Sequence, residues 1–262
     1  RQKTSEKDRK TVQAILNDVR KNGDSAVKKY EQKFNGRKTS QLRVSTKEIK
    51  EARSKISRDE WDALTLMSGI LRLDTNEFLS SLPGPKKGWR SVPSISYTFV
   101  PIPSVGCYIP GGQARYPSSV VMSVIPAKLA GVKRIVVVSP PGRDGKIDPL
   151  TIAAARNCGA TEIYKVGGAQ AIAALSYGTK SIPKVDKIVG PGGKFVSIAK
   201  SLVSDQTAID MIAGPTELGI IADASSDPEL AALDLISQAE HSKDTICFVI
   251  TQSKTVAKQI KK

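Results

Sequence analysis

Between residues 118 and 251 the sequence alternates short β-branched runs with segments of helical period, and this alternation leaves few architectures open. RIVVV (134–138), EIYKV (162–166), DKIV (186–189), LGIIA (218–222) and ICFVI (246–250) have the length and the Val/Ile content of buried strands. SSVVMSVIPAKLAG, PLTIAAARNCG, AQAIAALSYG, KFVSIAKSLVS and DPELAALDLISQAEH alternate with them and read as helices. A helix between two strands carries the chain back across the sheet, so consecutive strands run parallel. The order predicts an α/β fold with a doubly wound, mostly parallel sheet, or two such sheets.

The chain before this region is different in kind. Residues 7–34 read as two helices broken at Gly23-Asp24, with Val12, Ile15, Leu16 and Val19 on one stripe. Ser45 with Glu48 and Ser57 with Glu60 match the capping box, and each opens a further helix, the second running to about Leu82. A helical N-terminal segment follows from these signals. Residues 83–112 then carry Pro83, Pro85, Pro93, Pro101, Pro103 and Pro110 around an alternating run, SISYTFV, which reads as a strand inside a hinge between domains.

In open α/β sheets, ligands bind beyond the carboxyl ends of the strands, where loops enter helix N-termini. Three glycine-rich loops have that position: Tyr108-Ile-Pro-Gly-Gly112, Gly167-Gly-Ala-Gln170 and Gly190-Pro-Gly-Gly193. Each alone also fits an ordinary turn; three at equivalent places point to a nucleotide-type ligand. None completes a dinucleotide fingerprint, since Phe195 stands where GPGGKF needs its last glycine, and none is a Walker A loop. A fourth loop, Ala213–Glu217, offers the Thr216 hydroxyl to a polar substrate, or to a helix cap or turn.

Charge and cysteine usage exclude other classes. Lys and Arg number 40 against 25 Asp and Glu, a net charge of +15, concentrated in residues 1–60 and the last ten. Aromatic residues are only 5%, and no RNA- or DNA-binding motif accompanies the charge, so specific nucleic-acid binding is not expected. Cys107, Cys158 and Cys247 show no CxxC spacing, so neither a disulfide framework nor a cysteine-rich zinc site is encoded. No apolar run approaches the roughly 20 residues of a membrane span, and the first ten residues lack a signal peptide's apolar region and an initiator Met. These features lead us to expect a cytoplasmic protein and a fragment of a longer chain.

His241 is the single histidine. On a helix it falls within about 60° of Gln238, with Asp234 on the same face, which is a ligand geometry. A helix-dipole partner or a packing residue fits the same local sequence.

VGCYIPGG (105–112), VGGAQAIAAL (166–175), VDKIVGPGGKFV (185–196), AIDMIAGPTEL (208–218) and DLISQAEH (234–241) occur in the order and spacing that resemble the histidinol dehydrogenases, and the similarity covers nearly the whole chain. The resemblance implies two Rossmann-like, incompletely doubly wound domains. Residues 1–102 with 218–262 would form the first and residues 103–217 an inserted second carrying the NAD-binding loops. It implies NAD-dependent oxidation of L-histidinol to L-histidine through an aldehyde, with zinc holding the substrate. Gln238 and His241 become zinc and substrate ligands, Tyr108 and Gln170 NAD contacts, and Thr216 a substrate contact usually made by serine.

Gly193 stands where the family commonly has an NAD-binding Asn. We place Asp234 beside His241 as the partner that fixes its tautomer, with a solvated surface carboxylate as the alternative. The resemblance further implies a homodimer. It puts the acid/base Glu-His pair beyond Lys262, so no catalytic residue is assigned here and the chain alone is not expected to turn over histidinol. A related zinc-dependent alcohol dehydrogenase and a non-catalytic nucleotide- or RNA-binding module remain the alternatives.

Overall fold

The computed structural model describes residues 5–36, 41–82, 98–111, 115–212, 217–240 and 245–261. Its described residues divide into two compact units, 5–212 and 217–261.

The first unit begins with four helices, α1 (Glu6–Asn22), α2 (Asp24–Asn35), α3 (Thr46–Ser54) and α4 (Arg58–Ser81). Their ends follow from local chemistry. Gly23 adopts φ 54°, which turns the chain between α1 and α2. Ser45 and Ser57 each accept a hydrogen bond from the amide three residues on, and the Glu48 and Glu60 carboxylates accept in turn from the serine N–H groups, so both capping boxes form.

The strands and helices that follow are β1 (Ser104–Tyr108), α5 (Pro117–Leu129), β2 (Arg134–Ser139), α6 (Pro149–Cys158), β3 (Glu162–Lys165), α7 (Gly168–Tyr177), β4 (Lys187–Val189), α8 (Lys194–Val203) and β5 (Ala208–Ile209). The five strands make one parallel sheet in the order β3-β2-β1-β4-β5. The chain winds outward from β1 to β3, then returns to lay β4 on the other side of β1. That reversal is the switch point beside which such sheets bind ligands.

Helices cover both faces, as a parallel sheet requires. One core joins Val12, Ile15, Leu16 and Val19 of α1 to α7, α8 and the strand residues Val136 and Val138. The other joins α3 to α6 with Ile135 and Val137, the alternate side chains of the same strand. Fully burying each of these aliphatic side chains is worth roughly 1.5–3 kcal/mol.

The second unit is a strand–helix–strand–helix: β6 (Glu217–Ala222), α9 (Pro228–Ala239), β7 (Ile246–Thr251) and α10 (Lys254–Ile260). β6 and β7 pair in parallel from Glu217↔Ile246 to Ala222↔Thr251. Ile221, Leu233, Ile236 and Phe248 are exposed in this unit.

Most expected elements form within a residue or two of their predicted bounds, and four differences stand out. The central strand β1 lies in what reads as a Pro-rich hinge, because Pro101 and Pro103 precede a run, SVGCY, with little β-branched content. Two-residue β5 is too short to leave a pattern. Of SISYTFV, residues 94–97 lie outside the described residues and 98–100 have no regular structure. The helices before residue 82 fall in the unit of the five-stranded sheet rather than with residues 218–262. Their apolar stripes are buried there, α1 on α7 and α8, α3 on α6, and α4 on α5.

No helix among the described residues is long and apolar enough to cross a membrane. The thiols are free; Cys107 and Cys158 are buried, and burial pushes the Cys107 thiol up to about 12. At pH 8 a thiol reagent is therefore expected to label Cys247 first, with Cys107 and Cys158 reacting only on unfolding. Mass-spectrometric peptide mapping reads this directly, and early labelling of Cys107 would contradict the burial.

Candidate functional site

Three loops leave the carboxyl edge of the sheet, after β1, β3 and β4, and they build the site. After β3 the chain passes Gly167 and Gly168 into α7. A Cβ on Gly167 would lie 2.5 Å from Pro140 Cβ, so the loop packs too closely for any side chain there. Gly168 sits at φ 60° and donates its N–H to the Tyr108 hydroxyl at 3.1 Å. Tyr108 closes β1 and is 5% exposed, and burial raises its phenol above the ordinary range.

Beneath this loop lies a buried carboxylate. Glu31 of α2 has no exposed surface; its Oε1 accepts from the Gly167 N–H at 2.9 Å and from Gln170 Nε2 at 2.8 Å, and its Oε2 from Asn35 Nδ2 at 2.6 Å. Burial raises its pKa, against the lowering effect of these three donors. Gln170 is 1% exposed, and its Oε1 is buried without a hydrogen-bond partner among the described residues.

The loop after β4 is held by a second charged cluster. Gly190, at φ 108°, donates its N–H to Asp210 Oδ2 at 2.8 Å, and its carbonyl accepts from the buried Lys200 Nζ at 3.0 Å. Lys200 and Asp210 also pair directly. Burial works to raise the Asp210 carboxyl, but the Lys200 ammonium and the Met211 and Gly190 amides outweigh it and hold the pKa low. The loop then reaches Gly193, the N-cap of α8, at φ −66°. Gly193 is exposed and a Cβ there would meet nothing within 4 Å.

A cavity of about 250 Å³ lies over the loop after β3, walled by Ile15, Phe34, Pro140 and Phe195 and reaching Gln170. Drug-sized ligands occupy roughly 300–1,000 Å³, so this space suits one ring of a larger molecule. Apolar walls, exposed phenyl rings and a few buried polar groups suit a flat heteroaromatic ring. Its neighbours are two helix N-termini, those of α7 and α8, which favour the negative charge of a phosphate.

The structure thus joins Tyr108 and Gln170 through Gly168, and sets Gly193 two residues before Phe195 on the cavity wall. It places Gln238 at the end of α9, half-buried, with exposed Asp234 one turn earlier. Thr216 and His241 lie outside the described residues, as does Gly112. Among the described residues no three His, Cys, Asp or Glu side chains gather as metal ligands, so these residues by themselves do not make a zinc centre. Sequence reasoning missed Glu31, Lys200 and Asp210.

The family model described as histidinol dehydrogenase matches residues 1–262. The histidinol dehydrogenase of Bacillus licheniformis is 45% identical over 266 residues, covering 98% of this chain and 60% of that protein. That of Methanosarcina mazei is 42% identical over 257 residues, covering 95% of this chain and 58% of that protein. The crystal structure of histidinol dehydrogenase from Elizabethkingia anophelis superposes with a TM-score of 0.88 at 36% identity, over 98% of this chain and 59% of that one. The chain spans a little under two thirds of the length of these relatives.

Proposed function

The chain belongs to the histidinol dehydrogenase family, and from that premise we propose that the protein oxidises L-histidinol to L-histidine through an aldehyde, in two NAD-dependent steps. The observation that carries the cofactor part is the meeting of the Gly167–Gln170 loop, whose Gly168 N–H is held by the Tyr108 hydroxyl, with Phe195 of the first turn of α8 around one cavity. NAD, when bound, supplies the hydride acceptor. The chain's own residues bind and orient it. With NAD bound, the N-termini of α7 and α8 would favour its phosphates, Gln170 would offer an acceptor to a ring substituent, and Phe195 would shield the ring from water.

Zinc and the substrate contacts belong to the same proposal on resemblance alone, with Gln238 and His241 as ligands and Thr216 at the substrate. A homodimer and a cytoplasmic location are carried over in the same way.

Two measurements test the reading. Calorimetric titration with NAD should give saturable one-site binding, and its absence would defeat the cofactor site. In a protein carrying the full length of the family, two NADH should form per L-histidine with L-histidinol, zinc and NAD; NADH formed with another alcohol and not with histidinol would favour the related dehydrogenase.

Gly193 gives a sharper test. Its φ is open to any residue and the space around it is empty, so Gly193→Asn should leave stability unchanged or raise it by a few tenths of a kcal/mol as an N-cap. An Asn there adds a side-chain hydrogen bond to the cofactor, worth about 1 kcal/mol, or roughly fivefold in NAD affinity. An unchanged NAD affinity in a stably folded variant would remove position 193 from the site.

A further inference from the structure

We propose that Glu31 is a positioning residue for the cofactor site: it locks the Gln170 amide so that Oε1 is offered as an acceptor to an N–H donor on the ligand's heteroaromatic ring. This rests on the reading above that the Gly167–Gln170 loop binds NAD.

The orientation follows from hydrogen-bond chemistry. An amide side chain has one donor end and one acceptor end, and exchanging them reverses what it offers a ligand. A carboxylate only accepts, so Glu31 Oε1 can face nothing but the Nε2 end of Gln170, as it does at 2.8 Å. The same oxygen takes the Gly167 N–H at 2.9 Å, fixing the turn from which α7 starts. Asn35 Nδ2 holds the other oxygen at 2.6 Å, so the carboxylate itself does not rotate.

The consequence is an unsatisfied acceptor. Gln170 Oε1 is buried and has no partner among the described residues, an uncommon state that calls for an occupant. It lies beside Gly168, where a Cβ would come within 2.8 Å of it, so the absent side chain keeps that space open. Gln170 reaches the cavity walled by Phe34 and Phe195, whose size suits one ring. The ligand class is therefore a flat heteroaromatic ring bearing an amino or carboxamide N–H. NAD carries this chemistry at both ends, on adenine and on nicotinamide.

The test is calorimetric titration with three dinucleotides: NAD, nicotinamide hypoxanthine dinucleotide, which lacks the adenine amino group, and nicotinic acid adenine dinucleotide, which lacks the carboxamide. The native protein should prefer NAD by about tenfold or more over one of the two, and which one identifies the ring that enters. In Glu31→Met the amide can turn over, and the preference should fall to about twofold or less. In Glu31→Gln, whose carbonyl still accepts from Gly167 and Gln170 while Asn35 turns to accept its amide, the preference should persist. A merely structural role would weaken all three ligands alike and leave their ratio unchanged.

Hydrogen exchange of the Gln170 side-chain amide, followed by NMR, keeps the two claims apart. It should be slow in the native protein and in Glu31→Gln and fast in Glu31→Met. Slow exchange in Glu31→Met, no preference among the three ligands in the native protein, or loss of the preference in Glu31→Gln would each overturn the proposal. Slow exchange with no dinucleotide bound at all would support the positioning of Gln170 while defeating the cofactor reading.

Discussion

Gly190→Ala is expected to destabilise the first unit by about 4 kcal/mol, a large share of the roughly 5–15 kcal/mol by which a domain is stable. Two independent costs combine. At φ 108° a non-glycine residue is strained, at about 1–3 kcal/mol. The added Cβ would also fall 2.1 Å from the Tyr108 carbonyl oxygen, which is backbone and cannot swing aside. Relief would require β1 and the loop after β4 to part at the switch point. Gly145→Ala separates the two costs, since Gly145 has φ 77° but nothing within 4 Å of its Cβ position. Urea denaturation should show a small shift for Gly145→Ala and a several-fold larger one for Gly190→Ala. Similar shifts would mean the close approach to Tyr108 carries no energy.

The second large effect is expected from Lys200→Met, at about 3 kcal/mol, because removing one member of a buried pair leaves the other uncompensated. Lys200 is 3% exposed; its loss frees the Asp210 carboxylate and leaves the Gly190 carbonyl without its donor. Adding Asp210→Asn should recover part of the loss, since an amide oxygen still accepts from the Gly190 N–H and carries no charge. The pH dependence has a definite sign. Asp210 has a lowered pKa in the fold, so the pair's contribution is present above the unfolded carboxyl value of about 3.9 and is lost as pH falls through the folded value. Between pH 5 and 3, Lys200→Met should lose less stability than the native protein does. A parallel loss in both would show that Asp210 is not stabilised by its lysine.

How much was legible in the sequence depended on what each signal encodes. Periodicity and capping residues record local backbone preference, and α1 to α4 appeared from them with both capping boxes intact. The edge loops were legible as glycine clusters, and the Tyr108 hydroxyl meets one of them at the Gly168 N–H. β1 was hidden because its burial is imposed by neighbours from distant sequence, β2 on one side and β4 on the other. Glu31 and Lys200 were hidden by the habit of reading charge as solvated surface. A signal existed in both cases. Glu31 shares the buried stripe of Val27 and Tyr30 on α2, and Lys200 that of Val196 and Val203 on α8. A charge on the apolar stripe of a helix marks a buried partner elsewhere in the chain. No pattern reveals that partner, because it lies over a hundred residues away for Glu31.

The placement of β1 also sets a clock on synthesis. Its partner on one side, β4, begins at Lys187, and the Ser104 hydroxyl waits for the Asp186 carboxylate 82 residues later. At a ribosomal rate of about 5–20 residues per second, the innermost strand of the sheet stands with an open edge for several seconds. During that interval the nascent chain presents a short apolar strand ready to pair with any other extended segment. Slower translation across residues 109–186 would lengthen the exposure, so the yield of soluble protein should depend on codon choice in that interval more than on codon choice after Ile209.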